Sequence, residues 1–216
     1  MKLVWSPDTA SNAYIDTVTT LRQCGISRQS GVAEFLSSMA AGWNSKLIVE
    51  SWSGGSSIAA SVGLAVAARH SRGRHVCIVP DEESRSEYVK SMQVAGMEAE
   101  MVVGEAEEVM TGLAGIDFLV VDSRRRDSVR VLRYAKLGHK GAVLACKNAC
   151  AKCLFPWAHW LGRGKRVVRS VFLPVGQGLN MAHISSSSVS ASLKRGPSRW
   201  IKHVDRNSGE EHVFRR

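Results

Sequence analysis

Between Lys46 and His70 the chain reads KLIVESWSGGSSIAASVGLAVAARH: an apolar run, a turn of small residues, then Ala, Val, Leu and Gly at helical spacing. This order limits the fold more than any other feature. Leu47, Ile48 and Val49 suit a parallel strand covered on both faces, since no polar residue alternates with them. Residues 51–57 let the backbone turn sharply and come close to a ligand. From Ile58 onward, small residues let a helix lie tight on the sheet, its first amides facing whatever the turn holds. The same pattern also builds a βα turn with no ligand, so glycines alone do not decide between the two.

The alternation continues along the chain. Ser6-Pro7 reads as an N-cap with proline at the first helical position, opening a helix to about Leu21. Val32, Phe35, Leu36 and Met39 have helical spacing in a second helix over 31–41, and both helices are expected to pack on the sheet. Further strands are predicted at 75–79, 100–103, 116–122 and 141–148, with helices at 82–95, 106–113 and 128–137 between them and Gly96 as a cap. Strands alternating with helices imply right-handed crossovers and a mostly parallel sheet flanked by helices, a Rossmann-like α/β fold. Ligands of such sheets bind beyond the carboxyl ends of the strands. Those ends carry Glu50, Ser51, Trp52, Gly54 and Gly55, then Asp81, then Gly104 and Glu105, then Asp122, then Lys147 and Asn148. Two apolar runs around Pro174, Gly176 and Gly178 read as a C-terminal antiparallel hairpin over 167–184. One α/β domain is therefore expected over 1–184, followed by a Ser-rich link and a basic tail over 185–216.

A chain of 216 residues with 44% hydrophobic content can bury one substantial core. No window reaches the roughly 18 apolar residues that span a bilayer, and the first residues resemble neither a signal nor a transit peptide. The expectation is a cytoplasmic or nuclear protein without a membrane. Five cysteines, an odd number without an export signal, argue for free thiols. Lys and Arg number 29 against 19 Asp and Glu, a net charge of +10 that favours nucleic acid, anionic surfaces or phosphorylated metabolites as partners. The cations gather at Arg124, Arg125 and Arg126, at Arg163, Lys165, Arg166 and Arg169, and in the tail. That tail interleaves them with Trp200, His203 and Phe214, a mix suited to phosphates and stacked bases. Trp200-Ile201 and Val213-Phe214 would equally anchor it, as short strands around a turn at 205–209. The sequence leaves the oligomeric state open.

Other chemistries lack their parts. Cys146, Cys150 and Cys153 have the spacing of an iron–sulfur motif, but only 63 residues follow Cys153, too few for the barrel that normally carries it. No second Cys-x-x-Cys supports a zinc site with His159. Cys146 therefore reads as a buried strand residue, and Cys150 and Cys153 as helical packing. There is no nucleophile elbow and no Gly-Lys-Ser/Thr phosphate loop.

The order of elements resembles the class I S-adenosylmethionine-dependent methyltransferases, closest to the catechol and caffeoyl-CoA O-methyltransferases. The resemblance rests on GVAEFLSSMAAGWNSKLIVES, Val79-Pro80-Asp81, Gly104-Glu105-Ala106 and Val121-Asp122. Nearly the whole chain, with VVRSVFLPVGQGLNMAHIS and WIKHVDRNSGEEHVFRR, is also similar to a plant family of uncharacterised proteins placed in that superfamily. The first resemblance implies S-adenosylmethionine held by Glu50, Ser51, Trp52, Gly54, Gly55, Asp81, Gly104, Glu105 and Asp122. Three departures matter. The first turn lacks the family's glycine near Ser51 or Trp52, leaving Gly54-Gly55 late. Valine stands at position 79, where the family places the acid that bonds the ribose hydroxyls, a role needing a carboxylate. Lys147 replaces the second acid of a metal-binding set that would include Asp122 and Asn148, and an ammonium does not ligate a hard cation. No metal site is expected. The chain then reads as a metal-independent methyltransferase for a small anionic acceptor, with Lys147 the catalytic candidate. The alternatives are an Asp122–Lys147 ion pair closing a lost site, and a scaffold that binds nucleic acid or another macromolecule through its basic surface and tail.

Overall fold

A computed structural model describes residues 5–26, 31–125, 127–150, 156–161, 165–186, 200–204 and 211–215. Helix α1, Pro7–Gln23, starts where Ser6 accepts from the Thr9 amide at 3.4 Å, and turns Ala10, Ala13, Thr17 and Leu21 inward. Helix α2, Val32–Gly42, meets it through a buried polar contact, Thr17 Oγ1 to Ser37 Oγ at 2.9 Å. Strand β1, Leu47–Ser51, is buried throughout and leads into α3, Ala59–Ser71. α1 and α2 pack chiefly on each other and on α3, and so form a second layer over α3 instead of lying on the sheet. Gly63 permits this, because a Cβ there would sit 2.5 Å from the Ala33 carbonyl oxygen.

The chain continues through β2 (Arg74–Val79), α4 (Glu82–Val94), β3 (Glu100–Val103), α5 (Ala106–Gly112), β4 (Ala114–Ile116), β5 (Phe118–Asp122), α6 (Ser128–Tyr134), β6 (Lys136–Leu137) and β7 (Ala142–Lys147). The helix expected to 137 stops at Tyr134, because Ala135 turns to extended ψ and β6 pairs with β4 in a small parallel sheet. A short helix α7, Trp157–Trp160, precedes the hairpin of β8, Lys165–Leu173, and β9, Leu179–Ser186.

The main sheet has seven strands in the order β3-β2-β1-β5-β7-β9-β8. Its first five are parallel, and β9 runs antiparallel between β7 and β8. Strand order reverses between β1 and β5, so a crevice opens above their carboxyl ends. The two faces bury separate cores. Leu36, Ile48, Leu64 and Phe118 fill the α1–α3 side, and Val49, Leu119, Leu132 and Leu144 the other. Each such side chain stabilises the fold by roughly 1.5–3 kcal/mol. No helix among the described residues is long and apolar enough to cross a membrane. Beyond the main sheet, β10 (Trp200–Val204) and β11 (Glu211–Arg215) pair antiparallel, the two short strands expected in the tail. Ser185 and Ser186, expected to open the Ser-rich link, extend β9; the rest of that link, the turn expected at 205–209, Cys153, Arg126 and Arg163 lie outside the described residues.

Candidate functional site

A cleft of about 600 Å³ lies over the ends of β1, β5 and β7. That is within the roughly 300–1,000 Å³ of small-molecule sites. One wall is the turn 53–57 with Ala59 and Ala60 of α3; another is Val32 and Ala33 of α2. Asp122, Arg124, Arg125, Lys147 and Asn148 form the floor and far side, and the hairpin turn supplies Gly176, Gln177 and Gly178. Gly178 is held close, since a Cβ there would lie 2.0 Å from the Ala149 carbonyl oxygen. Arg124 reaches across to donate to the Gln177 side-chain carbonyl.

Asp122 is committed to its neighbours. Its Oδ2 accepts from the Asn148 carboxamide at 2.7 Å and its Oδ1 from the Arg124 amide at 3.0 Å. Asn148 takes a left-handed φ of 57° at the end of β7, the turn that brings its side chain back to Asp122. The ion pair anticipated between Asp122 and Lys147 does not form, although the two are register partners: Asp122 has satisfied both oxygens locally. Lys147 is only 9% exposed, lines the cleft, and among the described residues has no hydrogen bond or ion pair. Arg125, by contrast, is spent on Asp127 and on the Trp52 carbonyl at 2.6 Å.

Of the residues singled out from sequence, Gly54, Gly55, Asp122 and Lys147 converge on this cleft. Glu50, Ser51 and Trp52 lie beneath it, fully buried. Glu50 Oε1 accepts from Tyr88 Oη at 2.9 Å and from His75 Nε2 at 3.1 Å, and its Oε2 has no partner. Burial pushes the Glu50 carboxyl up, but the hydrogen bond and charge of His75 and the charge of Lys147 outweigh it and hold it at about 2. The Trp52 ring turns away from the cleft, edge-on to Tyr88 at 5.3 Å. Asp81 caps α4, accepting from the Ser84 amide at 2.7 Å, and that bond lowers its pKa. Gly104 and Glu105 stand outside the lining, with Glu105 paired to Arg130 at 3.3 Å. Val79 is buried.

Several residues that shape the site carried no signal in the sequence. Glu87, on the exposed side of α4, accepts from the Gly55 amide at 3.0 Å, and Ser84 Oγ accepts from Gly54 at 3.3 Å. These bonds fasten the turn 53–57 to α4. Nothing local in GGSS or EESRSE announces such a pairing across 30 residues. Cys146 is a buried strand thiol, pushed up to about 12 by burial and by Asp122, and Cys150 is exposed and lies outside any helix. Among the described residues no group of three potential ligands from His, Cys, Asp and Glu comes together.

The family of proteins of unknown function DUF1442 matches the whole chain, residues 1–216. The chain belongs to that family. No curated protein matches it in sequence. Its fold is that of the class I methyltransferases. A methyltransferase from Geobacter sulfurreducens superposes with a TM-score of 0.56 at 23% identity, over 82% of this chain and 90% of that one. The O-methyltransferase TomG of Streptomyces achromogenes, solved with S-adenosylmethionine and involved in tomaymycin synthesis, gives 0.54 at 18%, over 81% and 90%. A provisionally named caffeoyl-CoA O-methyltransferase from Staphylococcus aureus gives 0.52 at 14%, over 70% and 81%. At these identities the likeness is one of fold, and the DUF1442 chain's own residues must carry the chemistry.

Proposed function

We propose that this protein is an S-adenosylmethionine-dependent methyltransferase that acts on a small anionic acceptor without a metal ion. The observation that carries the reading is Lys147, a largely buried lysine with no hydrogen bond or ion pair among the described residues, lining a cleft at the switch point of a methyltransferase fold. Part of the cleft suits the cofactor well. Gly55 has a positive φ and open space where a Cβ would be, and Gly54 adds no side chain, so the turn presents bare backbone to a ligand. Gly54, Gly55 and Asp122 would hold the methionyl part. The bonds from the turn to Glu87 and Ser84 tie those amides to α4, and a cofactor that uses the amides would have to displace them.

Bound S-adenosylmethionine supplies an electrophilic methyl group. Lys147 donates to the acceptor's anionic group, which holds the acceptor in the cleft with its nucleophile toward the turn. Asn148 and the Arg124 amide fix Asp122, so the floor is rigid when the acceptor arrives. Cys146, kept as a thiol beneath the floor, does not compete for the methyl group. The ammonium at position 147 also repels a divalent cation where the metal-dependent enzymes place an acid.

A second reading has its own support: Val79 in place of a ribose-binding carboxylate, Asp81 used as a cap, and turn amides already satisfied. It makes the protein a scaffold that works through its basic tail. Equilibrium dialysis with methyl-labelled S-adenosylmethionine in EDTA separates the two. Micromolar binding, lost in Ser56→Trp, which fills the cleft, is the expected result. No binding at millimolar cofactor, with salt-sensitive nucleic-acid binding lost on removing 194–216, would favour the scaffold.

A further inference from the structure

The first turn of α3 is uncapped. Its N-cap residue, Ile58, has no side chain able to accept, and Ala59 makes only a long 3.4 Å contact to Ser57 Oγ. Among the described residues the Ala60 and Ser61 amides have no partner, since the first helical bond of this end runs from Val62 to Ile58. Both residues are buried and Ala60 lines the cleft, so free N–H groups stand where the helix dipole is positive. An open N-terminus of this kind is a ready site for an anion.

An open helix end proves little alone, but a second, independent group faces the same space. Lys147 is nine-tenths buried, and among the described residues its ammonium has no carboxylate within 4.0 Å. Its stem is buried and its ammonium reaches the cleft, so a ligand there meets an unpaired cation. Lys147 lines the same cleft as Ala59 and Ala60 at the start of α3. Glu50 does not satisfy it, being engaged with His75 and Tyr88. Arg124 adds a second cation at the rim, paired only with the neutral Gln177. Asp122 is the one acid lining the cleft among the described residues, and both its oxygens are bonded.

We propose that the cleft binds a phosphate group, one that a phosphorylated acceptor would carry, between the free amides at the start of α3 and the ammonium of Lys147, with Arg124 at the rim. Three terminal oxygens match three separate donor sets; a carboxylate, with two oxygens in one plane, leaves one set open. This names the anionic group of the acceptor and rests on the reading of the cleft above. It is tested without cofactor, so the two can fail separately.

The test is calorimetric titration of the full chain with inorganic phosphate, and with acetate at matched ionic strength. The wild type should bind phosphate at least tenfold tighter than acetate. Lys147→Met should weaken phosphate at least tenfold. Lys147→Arg should retain most of the affinity. Should Lys147→Met fail to fold, Ser57→Glu, which puts a carboxylate at the open end of α3, must weaken phosphate by a similar factor. Equal binding of phosphate and acetate would overturn the choice of anion. Phosphate binding indifferent to both variants, or none in the wild type, would overturn the site.

Discussion

Glu50 shows how much one buried carboxylate can organise. It has no contact with solvent, yet it holds a hydrogen bond from His75 and another from Tyr88, with Trp52 packed over the tyrosine. Its folded pKa of about 2 lies below the ordinary value of 4.5. Acid therefore protonates the unfolded chain first. The stability this group contributes is complete above about pH 4.5 and is lost as pH falls toward 2. Glu50→Gln should cost on the order of 1–3 kcal/mol at neutral pH, because the amide oxygen can still accept both bonds but without the negative charge, and its NH2 is buried without an acceptor at the Oε2 position. It should also flatten the acid limb of stability against pH, measured by urea unfolding; an unchanged limb would mean Glu50 is not the group responsible. That an acid ends β1 is visible in LIVES. Its partners were not foreseeable, because they stand 25 and 38 residues away and meet it only when β2 and α4 pack beside β1.

Among the elements, the turn between β1 and α3 has the most consequence, because it is shared. Its amides serve α4 now and would serve a ligand otherwise. Glu87→Ala removes the acceptor of the Gly55 amide while leaving Ser84 in place. The Gly55 amide should then exchange with solvent faster, and S-adenosylhomocysteine should bind several-fold tighter, since the ligand no longer competes with an internal carboxylate. Unchanged exchange and affinity would show that the turn is not held by Glu87. The elements themselves were legible where period and caps agree. Ser6-Pro7 opens α1, Gly96 takes a left-handed φ of 62° after α4, and the apolar runs of β1, β2 and β5 lie as expected. Residues 135–137 misled because their apolar spacing continues the helix, and only pairing with β4 pulls them out of it.

Across the whole molecule, a parallel sheet with an antiparallel strand inserted between β7 and β8 puts the reversal of strand order, the open end of α3 and Lys147 around one cleft. Alternating strands and helices foretold the layers, and the acid and glycine motifs at the strand ends brought out the family likeness. Strand order is not written in any local pattern, so the sequence gathered candidates from every strand end while the cleft uses those of β1, β5 and β7. Asp81 and Glu105 remain at the rim of β2 and β3, occupied with Ser84 and Arg130. The most direct test is a crystal structure of the protein grown with saturating S-adenosylhomocysteine. The expected result is the ligand against Gly54, Gly55 and Asp122, with the bond from Gly55 to Glu87 broken. An empty cleft, with that bond intact at millimolar ligand, would contradict the methyltransferase reading.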